Sequence, residues 1–548
     1  MNKKEPPTDS GNNQQIILPS KIVAQEYVNC FFEHANITYR YLPQADAYDY
    51  LDQLYDEDSS LLNNDARMAI ILLLMGIGCI WLASYRSLPF EEYKIKSHRF
   101  LRAGRERLES ATSNGGASIE LVTGHVLKCQ LECAASRFRE AWMTLGTAIR
   151  LAQMIRLHRE QQTSDPIHQY CARGLFWAIF MIDRYLSVSL GWPMALHEND
   201  ITIPLPSEPD ASILPRVGPQ EAKVISGVVA HARLTQIIGH AIMKLYGGTR
   251  ISPDSCEQAI TQLEGELDKW LQDTPSFFHP RGDSREAGDQ EFYDLPWIFR
   301  RQRRTIRSAF HFTKMLIYRG TLLQEFLHHI PSTPPFKEPG SKYIQHCADN
   351  AWEMANIAAD IADDDTYNSV YWTTSHFIFC AISILLVYHL LYQGPFSRSE
   401  LERLLERAMK GHGKLDNGPS LINEDLLQKS PLEARPAGQT EVPLRDHTNT
   451  ENAALDPVVD RGMVETQPLS AHGAVSVDTL LPSWLNQAQA PTNTGVSFLI
   501  EPGASAGLVH NWFSQGLDSS TGDVFDMIMD LGFDGTYATD FGSNMDYE

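Results

Sequence analysis

From about Leu18 to Lys410, apolar residues return every three or four positions, with no sustained alternation of period two. A chain patterned in this way buries its apolar residues as helix stripes against other helices, so the expected fold is all-α, a multi-helix body of packed antiparallel helix pairs. The clearest pair is Val122, Val126, Cys129 and Cys133, then a break at Ser136 and Arg137, then Phe138, Trp142, Leu145, Ile149, Ala152 and Ile155. Ala134, Ala135, Ala141, Gly146 and Ala148 would let the two axes approach closely. A third helix is expected from Cys171 to Leu190, stopped by Gly191 and Pro193, followed by an extended, proline-bounded stretch from His197 to Pro206. Further helices are expected over 223–246, 255–271, 297–329, 343–362, 371–391 and 397–409.

Two runs without charge, Met68 to Tyr85 and Phe377 to Tyr392, raise the alternative of an integral membrane protein. Both fall short of, or barely reach, the ~20 residues that a bilayer requires, and the amphipathic pattern around them makes them central core helices. Eight cysteines, at 30, 79, 129, 133, 171, 256, 347 and 380, lie scattered in apolar stretches, which suits buried thiols in a reducing compartment. The polar start, residues 1–17, has no apolar core of a secretory signal and is expected to be disordered.

Beyond Gly411 the texture changes. Residues 411–548 hold 20 acidic and 5 basic side chains, net −15 of the chain's −22, and no Lys or Arg follows Arg461. Residues 411–520 read as a disordered linker rich in Pro, Gly, Asn, Gln and Thr. In 521–548 carboxylates interleave with apolar side chains, the composition of an acidic activation segment. Phe525, Met527, Ile528, Leu531 and Phe533 are the side chains expected to dock on a partner's apolar groove, with the carboxylates holding them in water until then.

Other chemistry-bearing patterns read as structural. Gly503-Ala504-Ser505-Ala506-Gly507 matches a nucleophile elbow, which would make Ser505 the nucleophile of a hydrolase, but no βα repeats precede it and little folded chain follows. Cys129 and Cys133 share a helix face without a second pair at metal-ligand spacing and fall on the apolar stripe. Arg300, Arg301, Arg303, Arg304 and Arg307 form the densest basic cluster and read as a solvated or salt-bridged helix face, with a nuclear-localisation or phosphate-contacting patch as the alternative. No catalytic, cofactor or metal residue is expected.

Residues 172–206, ARGLFWAIFMIDRYLSVSLGWPMALHENDITIPLP, resemble the signature of the fungus-specific transcription-factor regulatory domain, the middle homology region of zinc binuclear cluster regulators. The resemblance rests on Arg173, Leu175, Trp177, Phe180, Asp183, Arg184, Leu186, Ser187, Gly191, Pro193, Asp200, Ile201, Ile203, Pro204 and Pro206. Blocks beginning at Leu18, Ala141, Ala232, Leu263 and Met315 are similar too, over about residues 18 to 395. Phe176, Trp192 and Gly320 stand where Trp, Arg and Pro are frequent. The packing roles expected are Trp177, Phe180 and Leu186 inside the helix bundle, Asp183 and Arg184 pinning the turn by ion pairs, and Gly191-Trp192-Pro193 ending the helix.

The resemblance implies a nuclear transcriptional regulator, an activator of RNA polymerase II genes of a metabolic pathway, working through a coactivator or the general transcription machinery and open to a small-molecule effector. Members of that family carry an N-terminal six-cysteine cluster that holds two zinc ions and reads DNA. The 17 residues before Leu18 contain no cysteine, so no cofactor is expected in this chain. Direct DNA contact is then expected only with a zinc cluster upstream; otherwise the chain is an adaptor recruited by a DNA-bound partner. No membrane partner is expected.

Overall fold

The computed structural model describes residues 18–408, apart from 57–59, 87, 115, 161–162, 219–220, 248–251, 281–295, 330–338, 364–369, 371, 393–398 and 402. The expectations for 1–17, the 411–520 linker, the 521–548 segment and Ser505 lie outside the described residues. Within them the chain is helical, with no strands. Its helices are α1 (Lys21–Cys30), α2 (Gln44–Leu54), α3 (Asp65–Tyr85), α4 (Phe90–Asn114), α5 (Ile119–Ala134), α6 (Phe138–Met154), α7 (Pro166–Leu190), a one-turn α8 (Leu214–Val217), α9 (Glu221–Leu245), α10 (Pro253–Asp273), α11 (Trp297–His329), α12 (Lys342–Asp363) and α13 (Trp372–Leu391).

Polar caps fix several of the starts. Asn64 accepts from the Arg67 N–H at 3.1 Å and Ser118 from the Leu121 N–H at 3.1 Å, each satisfying an amide that the first turn leaves without a partner. α5 and α6 form the expected antiparallel pair, and the chain reverses between them at Ser136, whose φ is 57°. α7 begins five residues earlier than its apolar period indicates, because Asp165 caps the Ile167 N–H and Pro166 occupies the first helical position.

Each of the two uncharged runs is the centre of an apolar core. Every residue of α3 from Met68 to Ala83 is buried, against α1, α4 and α5. The approach of α1 is close enough that a Cβ on Gly78 would lie 1.9 Å from the Tyr27 carbonyl oxygen, so only glycine fits there. α13 has the same place in a second core, where Phe377 stacks on Phe312 of α11 with centroids 4.0 Å apart. The run outlasts α13 by one residue, and Tyr392 is still buried.

α7 and α9 belong to both cores. Phe180, Ile182 and Leu186 of α7 face the first, whereas Tyr185 and Val188 face the second. Along α9, Ile225 and Val228 pack in the first core and Leu234 and Ile238 in the second. Where the helices cross, the Tyr185 hydroxyl and His231 Nε2 form a buried hydrogen bond. Burial holds that imidazole neutral, its pKa pushed down to about 3.

Candidate functional site at the signature turn

α7 ends where Gly191 adopts φ 68°, the left-handed conformation that costs glycine little. The chain then turns back along its own helix. Asp183 and Arg184, both about 1% exposed, hold it there. The Asp183 carboxylate accepts from the Ala195 N–H at 3.1 Å, the Leu196 N–H at 3.3 Å and Arg184 Nη1 at 2.6 Å. Arg184 Nη2 donates to the Leu196 carbonyl at 2.9 Å, and its guanidinium lies 4.0 Å above the Phe180 ring. α9 closes over the pair at Gly239, where a Cβ would meet Arg184 Nε at 2.8 Å.

Burial outweighs mutual attraction for both charges: it pushes the Asp183 carboxyl up and the Arg184 guanidinium down. The expected ion pairs are therefore present: the short one joins the two neighbours to each other, a longer one at 3.9 Å runs from Arg184 to Glu198 of the turn, and the Asp183 carboxylate reaches the turn through backbone amides. Both side chains direct their hydrogen bonds to each other and to residues 195–196, and Arg184 also pairs with Glu198. That makes them positioning groups.

The other signature residues extend this clamp. Leu175 is buried, and Trp177 donates through Nε1 to the Pro204 carbonyl at 3.0 Å. Ser187 donates to the Pro193 carbonyl at 3.3 Å. Trp192 packs edge-on against Trp142 of α6 at 5.0 Å. Asp200 is exposed and closes a single helical turn, Glu198–Asp200, with its N–H on the His197 carbonyl at 3.1 Å. The stretch from His197 to Pro206 is thus not extended throughout: the turn brings Glu198 back toward α9. Thr202 and Ile203 then donate to the His158 carbonyl at 3.0 and 3.2 Å, tying the segment to the turn that follows α6.

Glu198 reaches a network that sequence reasoning missed. His240 of α9 lies between two carboxylates, Nδ1 at 2.5 Å from Glu266 and Nε2 at 3.4 Å from Glu198, with Lys244 on Glu266 at 3.0 Å. The Glu198 hydrogen bond raises the imidazole's pKa against the opposing effect of burial, and Glu266 adds to it. His240 thus links the turn, α9 and α10, and protonation strengthens the link.

Arg173 donates to Ser207 Oγ at 3.0 Å, near a second buried ion pair. Arg40 Nε and Nη2 approach Glu221 at 2.9 and 2.5 Å, and the Tyr170 hydroxyl donates to the same carboxylate at 2.5 Å. The paired residues stand 181 positions apart, and no spacing rule links them.

The arginine cluster at the start of α11 meets the expectation of a solvated or salt-bridged helix face only in part. Arg307 is salt-bridged to Glu353 at 3.0 Å, but Arg301 is buried, its guanidinium 5.6 Å from the Trp81 ring centre and 5.3 Å from that of Trp297. A guanidinium's weak hydration and flat face suit it to such packing. Cys129 and Cys133 are buried in the first core, as the apolar stripe requires, and desolvation raises the Cys133 thiol.

Comparison with known families identifies this architecture. Residues 28–272 match the fungal specific transcription factor domain. The match ends within α10, whereas the second core continues through α11, α12, α13 and the helical residues 399–401 and 403–408. Among the chain's relatives is an activator of stress genes from Candida albicans, 24% identical over 405 residues, 68% of this chain and 40% of the relative. The activator of stress genes from Saccharomyces cerevisiae is 23% identical over 69% of this chain and 39% of its own length. A citrinin biosynthesis transcriptional activator from Monascus ruber is 31% identical over 140 residues, 23% of this chain and 27% of that protein. The chain thus spans 40% and 39% of the two longer-matching activators.

Proposed function

We propose that this chain is a nuclear transcriptional regulator, an activator whose two-core helical body carries an acidic activation segment at residues 521–548. The observation that supports this most is the regulatory-domain match at 28–272, whose signature turn is held by the Asp183–Arg184 clamp. Relatives named as transcriptional activators, one of them for a biosynthetic pathway, favour control of pathway-specific genes. In this reading the role is regulatory and non-catalytic. Phe525, Met527, Ile528, Leu531 and Phe533 dock on a coactivator or the general transcription machinery while nearby carboxylates steer the encounter. The chain reaches promoters through a DNA-bound partner, or through a zinc cluster where one precedes it. Chromatin cross-linking of the tagged chain in its native host tests this: enrichment at a discrete set of promoters is expected, and recovery no higher at promoters than across coding DNA would refute it.

A further inference from the structure

A cleft of about 240 Å³ opens between the first half of α7, the segment 206–213 and the start of α9. Its position is tied to the signature, because Arg173 lines one wall and the opposite segment follows directly on Pro204, where Trp177 is bonded. Tyr170 and Arg40 line it as well, but the Arg40 charge is taken up by Glu221 beneath. Arg173 differs. Its one bond is to Ser207, and among the described residues no carboxylate pairs with it. Glu208, on the facing segment, is exposed and likewise has no cationic partner there. Asp210 accepts from the Ser212 N–H at 2.8 Å, which keeps its carboxyl below the usual range and charged at neutral pH.

With the Arg40–Glu221 pair cancelled, the walls present one guanidinium and two carboxylates. A phosphate or dicarboxylate would satisfy Arg173 but meet Glu208 and Asp210 at close quarters, whereas a simple amine would leave Arg173 unused. A molecule bearing one carboxylate and one ammonium matches both signs, and the volume admits one with a short side chain. We propose that this cleft binds a free α-amino acid, its carboxylate on Arg173 and its ammonium on Glu208 and Asp210.

Binding is independent of the transcriptional reading and is measured directly on the full chain. Thermal denaturation is followed with each of the twenty protein amino acids at millimolar concentration, with acetate, propylamine and inorganic phosphate alongside. At least one amino acid is expected to raise Tm well beyond all three controls. Calorimetry should then show its affinity falling at least tenfold in Arg173→Met and in Glu208→Gln. Glu208 is exposed, so the second variant keeps the test valid where the first fails to fold. No stabilisation by any of the twenty, an equal shift from a control, or unchanged affinity in Glu208→Gln would overturn the proposal.

Discussion

Replacing Asp183 by Ala tests the clamp most severely. The substitution strands a guanidinium that is about 1% exposed and removes the acceptor for the amides of Ala195 and Leu196. Breaking one side of a buried ion pair costs about 3–5 kcal/mol, because the surviving charge keeps its desolvation penalty, here offset only by the longer pair with Glu198 at 3.9 Å. Asp183→Asn keeps an oxygen for the amides and loses only the charge, so about 1.5–3 kcal/mol is expected. Arg184→Met should cost less than Asp183→Ala, since the remaining carboxyl, already pushed up by burial, can take a proton and still accept from the backbone. The double variant Asp183→Ala with Arg184→Met should therefore fall short of the sum of its singles by about 2 kcal/mol or more. Urea unfolding, with hydrogen exchange at the Ala195 and Leu196 amides as the local readout, measures each term. A cost below about 1 kcal/mol for Asp183→Ala, or strict additivity, would refute the reasoning.

Three further outcomes follow from the same structure. His34, His231 and His311 are buried with pKa values pushed down to about 4, 3 and 4, so the unfolded chain binds protons that the fold cannot. The stability they preserve is complete above about pH 6.5 and lost as pH falls, by about 2 kcal/mol each at pH 5; a urea midpoint unchanged between about pH 7.5 and 5 would contradict this. His240 acts oppositely, its raised pKa giving stability below about pH 6.5 that is lost as pH climbs through the folded value, and NMR titration of its ring should show a pKa above that of His240 in urea. Gly78→Ala forces α1 off α3 or strains both, at about 3 kcal/mol or more; a Tm within a degree of the parent chain would show that the contact yields easily.

The α5–α6 pair was legible because both helices are amphipathic and a polar break separates them. The end of α7 was legible because Gly191 and Pro193 punctuate it. Its first turn was not, since Ile167, His168, Gln169 and Tyr170 carry no apolar period and only Asp165 and Pro166 mark the start. Arg301 was misread because charge suggests solvent, while the indoles that bury it come from Trp81, 220 positions earlier, and from Trp297 on its own helix. The Arg40–Glu221 pair and the Glu198–His240–Glu266 network arise from tertiary approach alone. Local spacing carries no trace of them.

The central claim is that this chain regulates transcription through its acidic C-terminal segment. Fusing the full chain to a heterologous DNA-binding domain and reading a reporter in a fungal host tests it most directly. The fusion is expected to activate the reporter, and replacement of Phe525, Met527, Ile528, Leu531 and Phe533 by Ala is expected to abolish that activation with protein levels unchanged. Undiminished activation after the five replacements would contradict the role of the segment, and a fusion that leaves the reporter at its basal level would contradict the account of the chain as an activator.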